Sequence, residues 1–176
     1  MLLLSLVAAV TPAHAQSADA VQKRLESESL KLREWAGDGV IVGAVMAQNG
    51  QSLTIGEIQS RDQSWIDGEA DALVKSVTSS PCAARLRELA STAPQYGEVL
   101  LMDRNGALVC ATNKTSDYWQ GDEPKWSRSF NGGKGAVFID RPRFDDSAKE
   151  RLAQVSLPVA KGGKVIGVLT VGVKLD

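Results

Sequence analysis

The hydrophobic period changes once along the chain, near Pro94, and that change decides what the chain can fold into. Before Pro94 apolar residues recur at three- and four-residue intervals. After it they alternate, or run in short stretches closed by turn residues. Over residues 17–36, Ala18, Val21, Leu25, Leu32 and Trp35 form one stripe with Glu28 as its polar break, and Lys23, Arg24, Glu26, Lys31 and Glu34 fall elsewhere. Ser17 suits the N-cap of that helix and Asp19 its first turn. Asp38 then caps a second, shorter helix through VIVGAVMAQ, closed by Asn49-Gly50. Thr54-Ile55-Gly56-Glu57 has the form of a capping box, and Ile55, Ile58 and Trp65 share one face of the third helix. Residues 69–79 carry Ala70, Leu73, Val74 and Val77 at helical spacing. Ser80-Pro81 starts a fifth helix with Leu86 and Leu89 inward, proline suiting a first helical position.

Beyond Pro94, GEVLLMD and ALVCAT flank the turn residues Arg104-Asn105-Gly106 and predict a hairpin. GAVFID, residues 135–140, predicts a third strand. RLAQVSLPVA, Gly162-Gly163 and KVIGVLTVGVKL predict a closing hairpin. Helices followed by antiparallel hairpins, without β-α-β alternation, give an α+β domain in which a sheet packs on helices. The 176 residues suit one domain with a sizeable core.

The first residues read as an export signal. MLLLSLVAAV is too short to span a bilayer, and Ala13-His14-Ala15 is an A-x-A cleavage site that predicts a mature start at Gln16. Residues 1–15 are therefore a signal peptide, residues 16–176 the single mature domain, and its location periplasmic. No lipobox cysteine follows Ala15, and no membrane span remains after cleavage. Removal of His14 leaves no histidine, which excludes Ser-His-Asp and Cys-His nucleophile systems and histidine-ligated metals. Two cysteines cannot make a four-thiolate site, no calcium loop of the D-x-D-x-D-G form is present, and no cofactor or metal is expected. The formal net charge of −1 argues against nucleic acid. In an exported chain Cys82 and Cys110 either form a disulfide, contributing about 3 kcal/mol by loop entropy, or stay as two buried thiols.

Six of the nine aromatic residues lie between Tyr118 and Phe144. The densest stretch, TSDYWQGDEPKWSRSF over residues 115–130, sets Tyr118, Trp119, Trp126 and Phe130 beside Asp117, Gln120, Asp122, Glu123, Lys125 and Arg128. Rings supply apolar walls and charges orient a polar ligand. Lys125 and Arg128 suit a carboxylate, and the acids suit an ammonium. The alternative is a cap that closes the sheet, with both tryptophans in the core.

The order of parts resembles the extracytoplasmic PDC/Cache sensor family in its single-domain form. The resemblance rests on YGEVLLMDRNGALV, the aromatic segment, GGKGAVFID and SLPVAKGGKVIGVLTVGV. It implies a PAS-like antiparallel sheet of five or six strands packed on a long N-terminal helix and shorter helices. It also implies sensing of a small molecule of the amino acid, amine or carboxylate class. Carried over by position, Tyr118 and Trp119 flank the pocket, Lys125 and Trp126 stand where amino-acid-binding relatives place an arginine and an aromatic, Asp140 faces the mouth and Ser156 projects from the following strand. Lys125 departs from that pattern, because lysine is a point donor without arginine's two-pronged grip on a carboxylate. The expected function is a periplasmic ligand-binding module that hands its signal to a membrane sensor kinase or chemoreceptor. Residues 17–36 are available to form a homodimer or to meet a receptor helix.

Two other readings compete. One is an envelope interaction module that kept the fold without a working pocket. The other is a carboxylate hydrolase built on Asp122-Glu123 or Asp145-Asp146, although such pairs are usually solvated turns, so no enzyme is expected. The glycine clusters NGGKG and KGGK lack the phosphate-loop form and read as turns.

Overall fold

A computed structural model describes residues 13–145 and 150–175. The apolar run of the expected signal peptide lies outside those residues. The described chain is α+β, six helices with a six-stranded antiparallel sheet. The helices are α1 (Ala13–Ala36), α2 (Gly39–Gly50), α3 (Ile55–Ile66), α4 (Asp71–Thr78), α5 (Pro81–Ala90) and α6 (Pro124–Phe130). The strands are β1 (Tyr96–Asp103), β2 (Leu108–Ala111), β3 (Phe138–Ile139), β4 (Arg143–Asp145), β5 (Glu150–Lys161) and β6 (Lys164–Lys174). Their order is β2-β1-β6-β5-β3, with β4 also paired to β5, which is the PAS-like sheet behind a long helix that the resemblance implied.

Local capping sets the helix starts. The Asp38 carboxylate accepts the N–H groups of Val40 and Ile41 at 2.8 and 3.3 Å. Thr54 and Glu57 form the reciprocal capping box. Ser80 Oγ accepts from the Ala83 N–H, with Pro81 opening α5. Ser17 is not the N-cap of α1, since that helix already runs from Ala13. Ile58 and Trp65 of α3 are buried as expected, whereas Ile55 stays largely in solvent.

The sheet has two cores. On the α1 side, Leu25, Leu32, Ile41, Val45 and Leu86 meet Val99, Leu101, Val155, Leu157, Leu169 and Val171. Residues one step out of register on β1 and β6, namely Leu100, Met102 and Val168, join Ile58, Trp65 and Tyr118 on the other side. Glu28, the polar break in the stripe of α1, is buried because it has partners. Its carboxylate accepts from the Tyr96 hydroxyl at 2.6 Å and from Lys31 at 2.9 Å. Burial raises the pKa of this carboxyl, but those hydrogen bonds outweigh it and the net value lies below the ordinary range. Burial and the same hydrogen bond push Tyr96 up to about 12. Cys82 of α5 and Cys110 of β2 are joined as a disulfide, with Cα atoms 6.0 Å apart.

Three expectations need correction. The segment 115–130, for which the sequence predicts no regular element, contains α6 from Pro124. The third strand covers only Phe138–Ile139 rather than residues 135–140. It pairs Phe138 with Ser156, and two residues on along β5 stands Pro158, which has no N–H to continue the ladder. Gly135, with φ +74°, lies against that proline. Finally, β4 is an additional short strand beside β5.

Candidate functional site

The aromatic segment is bolted to the first hairpin. Asp103, 2% exposed, ends β1 and accepts the N–H groups of Asn105 and Ala107 at 2.8 and 3.0 Å, which fixes the turn. Gly106 follows with φ +84°, and a Cβ there would collide with the backbone of Gly121, so the segment lies directly on the turn. The Gln120 N–H donates to the Gly106 carbonyl and the Leu108 N–H to the Tyr118 carbonyl. The indole of Trp119 donates to the Asn105 carbonyl and that of Trp126 to the Asp103 carbonyl, each at 2.9 Å. Asp62 of α3 accepts the N–H groups of Tyr118 and Trp119. Trp126 stacks on Phe130 with ring centroids 5.0 Å apart. Burial pushes the Tyr118 hydroxyl's pKa up, against the opposing hydrogen bond from Arg61. Two rings of the expected pocket thus hold the hairpin through their N–H groups, and Tyr118 is core.

The cleft lies beside them, on the sheet face turned away from α1. Along β5, Ala153, Val155, Leu157 and Val159 point to the α1 core, so Leu152, Gln154 and Ser156 point the other way. On β6, Leu169, Val171 and Val173 point to that core, which leaves Thr170 and Gly172 facing away. Ser156 and Thr170 are directly paired, fully buried, and share a hydrogen bond of 2.8 Å between their hydroxyls. A cleft of about 170 Å³ is lined by Glu123, Asp140, Arg141, Arg143, Phe144, Leu152 and Gln154. A water-sized extension of about 20 Å³ shares Leu152 and Gln154 and continues to Glu98, Leu100, Thr170 and Gly172.

α6 lies over β5 and β6 and brings Lys125 to this region. Lys125 is only 8% exposed, and its Nζ stands 3.0 Å from a carboxylate oxygen of Glu123 at the cleft wall. Asp140, just after β3, accepts from Arg143 at 2.7 Å and from the Arg141 N–H at 2.8 Å. The cleft therefore combines two acids, two guanidiniums and a polar floor, with the buried Lys125 ammonium behind one of the acids. Such a set suits a small solute carrying a carboxylate, an ammonium or both.

Among the sequence-derived candidates, Asp140 lines the cleft, Ser156 lies on its floor face and Lys125 is paired to its wall. Tyr118, Trp119 and Trp126 line neither the cleft nor its extension. Asp117 accepts from Gln120 and Ser116 within its own loop, and Arg128 sits exposed over the Phe138 ring at 5.2 Å. Sequence reasoning missed Glu98, Arg141, Arg143, Gln154 and Thr170. The last two carried a signal: Thr170 is the single polar residue in VIGVLTVGV, and Gln154 lies two positions from Ser156 on one strand face.

No family model and no curated protein match the chain. Among solved structures it is similar to the ligand-binding domain of the Pseudomonas aeruginosa amino acid chemoreceptor PctC, in complex with GABA, at 20% identity over 65% of this chain and 55% of that one, TM-score 0.45. It is also similar to the sensor domain of the V. cholerae histidine kinase DctB, at 16% identity over 88% of this chain and 57% of that one, TM-score 0.39. A third is the sensory domain of the Campylobacter jejuni chemoreceptor Tlp3 with isoleucine bound, at 17% identity over 94% of this chain and 64% of that one, TM-score 0.38. The chain spans less than two thirds of the length of each. Among the described residues no helix is long and apolar enough to cross a membrane.

Proposed function

We propose that the chain is a periplasmic sensory module, exported by cleavage after Ala15, which binds a small amino acid, amine or carboxylate and passes that event to a membrane sensor kinase or chemoreceptor. The observation that carries this reading is Lys125. A buried ammonium is costly without an anion beside it. Here its carboxylate partner, Glu123, is part of the cleft wall and more than a third exposed. A ligand carboxylate entering the cleft takes the place of Glu123 on Lys125, and Glu123 or Asp140 then receives a ligand ammonium. Gln154 supplies a neutral donor and acceptor on the floor, and the Thr170 hydroxyl, held by Ser156, borders the water-sized space beside it.

Native mass spectrometry of gently purified protein identifies any co-purified metabolite, and a thermal-shift screen of amino acids, amines and carboxylates tests it. A true ligand at one hundred times its Kd adds about 2.7 kcal/mol, which raises Tm by roughly 5–10 °C. Silence across the three classes, with no co-purified metabolite, contradicts the reading.

One observation favours the second reading, an envelope interaction module without a working pocket: the rings expected to wall a cavity are bonded to the hairpin, and the cleft holds only about 170 Å³. That reading expects cross-linking in cells to capture a protein partner while small-molecule screens stay silent.

A further inference from the structure

A second groove, which meets the Lys125 cleft at Asp140 and Arg141 but has a different floor, runs alongside α1. It encloses about 430 Å³ between the first turns of that helix and the stretch that joins β3 to β4. Its walls are mainly apolar: Val21 and Leu25, with Gln22 between them, on one side, and Ile139 and Pro142 on the other. Ala18 joins the lining one turn earlier on the helix, and from Ala18 to Leu25 the helix rises about 10 Å. The edge is cationic. Arg141 and Arg151 line the groove, both are exposed, and among the described residues neither guanidinium has an acidic partner. The one acid in the lining, Asp140, is already satisfied by Arg143 and by the Arg141 N–H.

We infer that this groove between α1 and the β3–β4 connection binds a free medium-chain carboxylate, with the acyl chain along Val21, Leu25, Ile139 and Pro142 and the headgroup on Arg141 and Arg151. An apolar trough two helical turns long accommodates a linear chain. A pair of guanidiniums at its edge selects an anionic head and rejects a cationic one. A second copy of this chain fits poorly. A two-fold contact at the groove would gather four guanidiniums there, with Asp140, already held by Arg143, as the one acid each lining offers.

The test is isothermal titration of the full chain with octanoate below its micellar concentration, and with octylammonium as the opposite-charge control. The inference expects saturable one-to-one uptake of octanoate and none of octylammonium. Ala18→Trp, at an exposed position that fills the end of the groove, abolishes uptake. Arg141→Gln combined with Arg151→Gln, both exposed and neutral to folding, weakens it tenfold or more. Absence of saturable octanoate binding overturns the inference, as does unchanged affinity in either variant or equal binding of octylammonium. Sedimentation that shows a dimer broken by Ala18→Trp and indifferent to octanoate assigns the groove to a second copy and also overturns it. The inference does not rest on the Lys125 cleft. Ligands of that cleft bind Ala18→Trp as they bind the native chain, so the two proposals fail separately.

Discussion

On the α1 side of the sheet, the fully buried apolar residues of β1, β5 and β6 are all Ala, Val or Leu, with Tyr96 and Ile166 half-buried beside them, whereas on the opposite side the same three strands present Glu98, Gln154, Ser156 and Thr170 among Leu100, Met102 and Val168. Identical backbone, twist and strand order support both faces, so the difference lies wholly in side chains. The first face is a seat for α1, α2 and α5, and its energetics are those of apolar burial. The second is divided. Where the aromatic segment covers it, indole N–H groups hold the hairpin. Where α6 and the β3–β4 connection cover it, polar groups line a small cleft. A fold that needed only stability would have filled the second face like the first, since a buried hydroxyl pair contributes little over an apolar pair of the same shape.

The sharpest way to break this contrast is to truncate one residue on each side. Leu101→Ala, on the α1 face, is expected to cost about 2–5 kcal/mol in urea unfolding, because the fully buried site cannot collapse around the missing atoms. Trp119→Phe removes the indole donor to the Asn105 carbonyl and is expected to cost about 2 kcal/mol, again by urea unfolding, while leaving ligand affinity within twofold. A large loss of affinity in that variant would restore the ring-walled pocket.

Two smaller effects sharpen the picture. Asp38→Ala removes the cap of α2 and the ion pair to Arg85, whose nitrogen stands 2.9 Å away, and is expected to cost about 1 kcal/mol at neutral pH. Burial raises the Asp38 carboxyl, but Arg85 and the Val40 and Ile41 N–H groups hold it below the ordinary range. A depressed carboxyl contributes stability above its unfolded pKa of about 4 and loses it as pH falls through the lower folded value. The gap between the native chain and Asp38→Ala, followed by thermal melts, should therefore shrink below about pH 4. A gap that widens on acidification would contradict the assignment. Least of all, the double variant Ser156→Ala with Thr170→Val should change stability by under about 1 kcal/mol, since both hydrogen-bonding partners leave together. Its effect should appear as weaker ligand binding.

Much of the fold was legible because its signals are local. Asp38, Thr54 with Glu57, and Ser80-Pro81 mark helix starts within four residues of sequence, and Arg104-Asn105-Gly106 marks the first hairpin. The α6 helix was hidden because seven residues of mixed rings and charges show no period. The short span of β3 depends on Pro158, a residue on a different strand. The site was half legible for the same reason. Tyr118, Trp119, Lys125 and Trp126 stood out both by ring and charge density and through the resemblance, while Asp140 and Ser156 were reached through the resemblance alone. Nothing in the local sequence says that an indole N–H will find the Asn105 or Asp103 carbonyl rather than a ligand. Arg143 and Glu98 enter the cleft only when β4 and β1 close on the sheet.

The most direct test of the account titrates one screened ligand, by isothermal calorimetry, into the native chain, Lys125→Met and Trp119→Phe. The account predicts a tenfold to hundredfold loss of affinity in Lys125→Met, as expected for about 1.5–3 kcal/mol in a charge-assisted hydrogen bond, and no more than a twofold change in Trp119→Phe. The reverse pattern, with Lys125→Met binding normally and Trp119→Phe not binding, would contradict it.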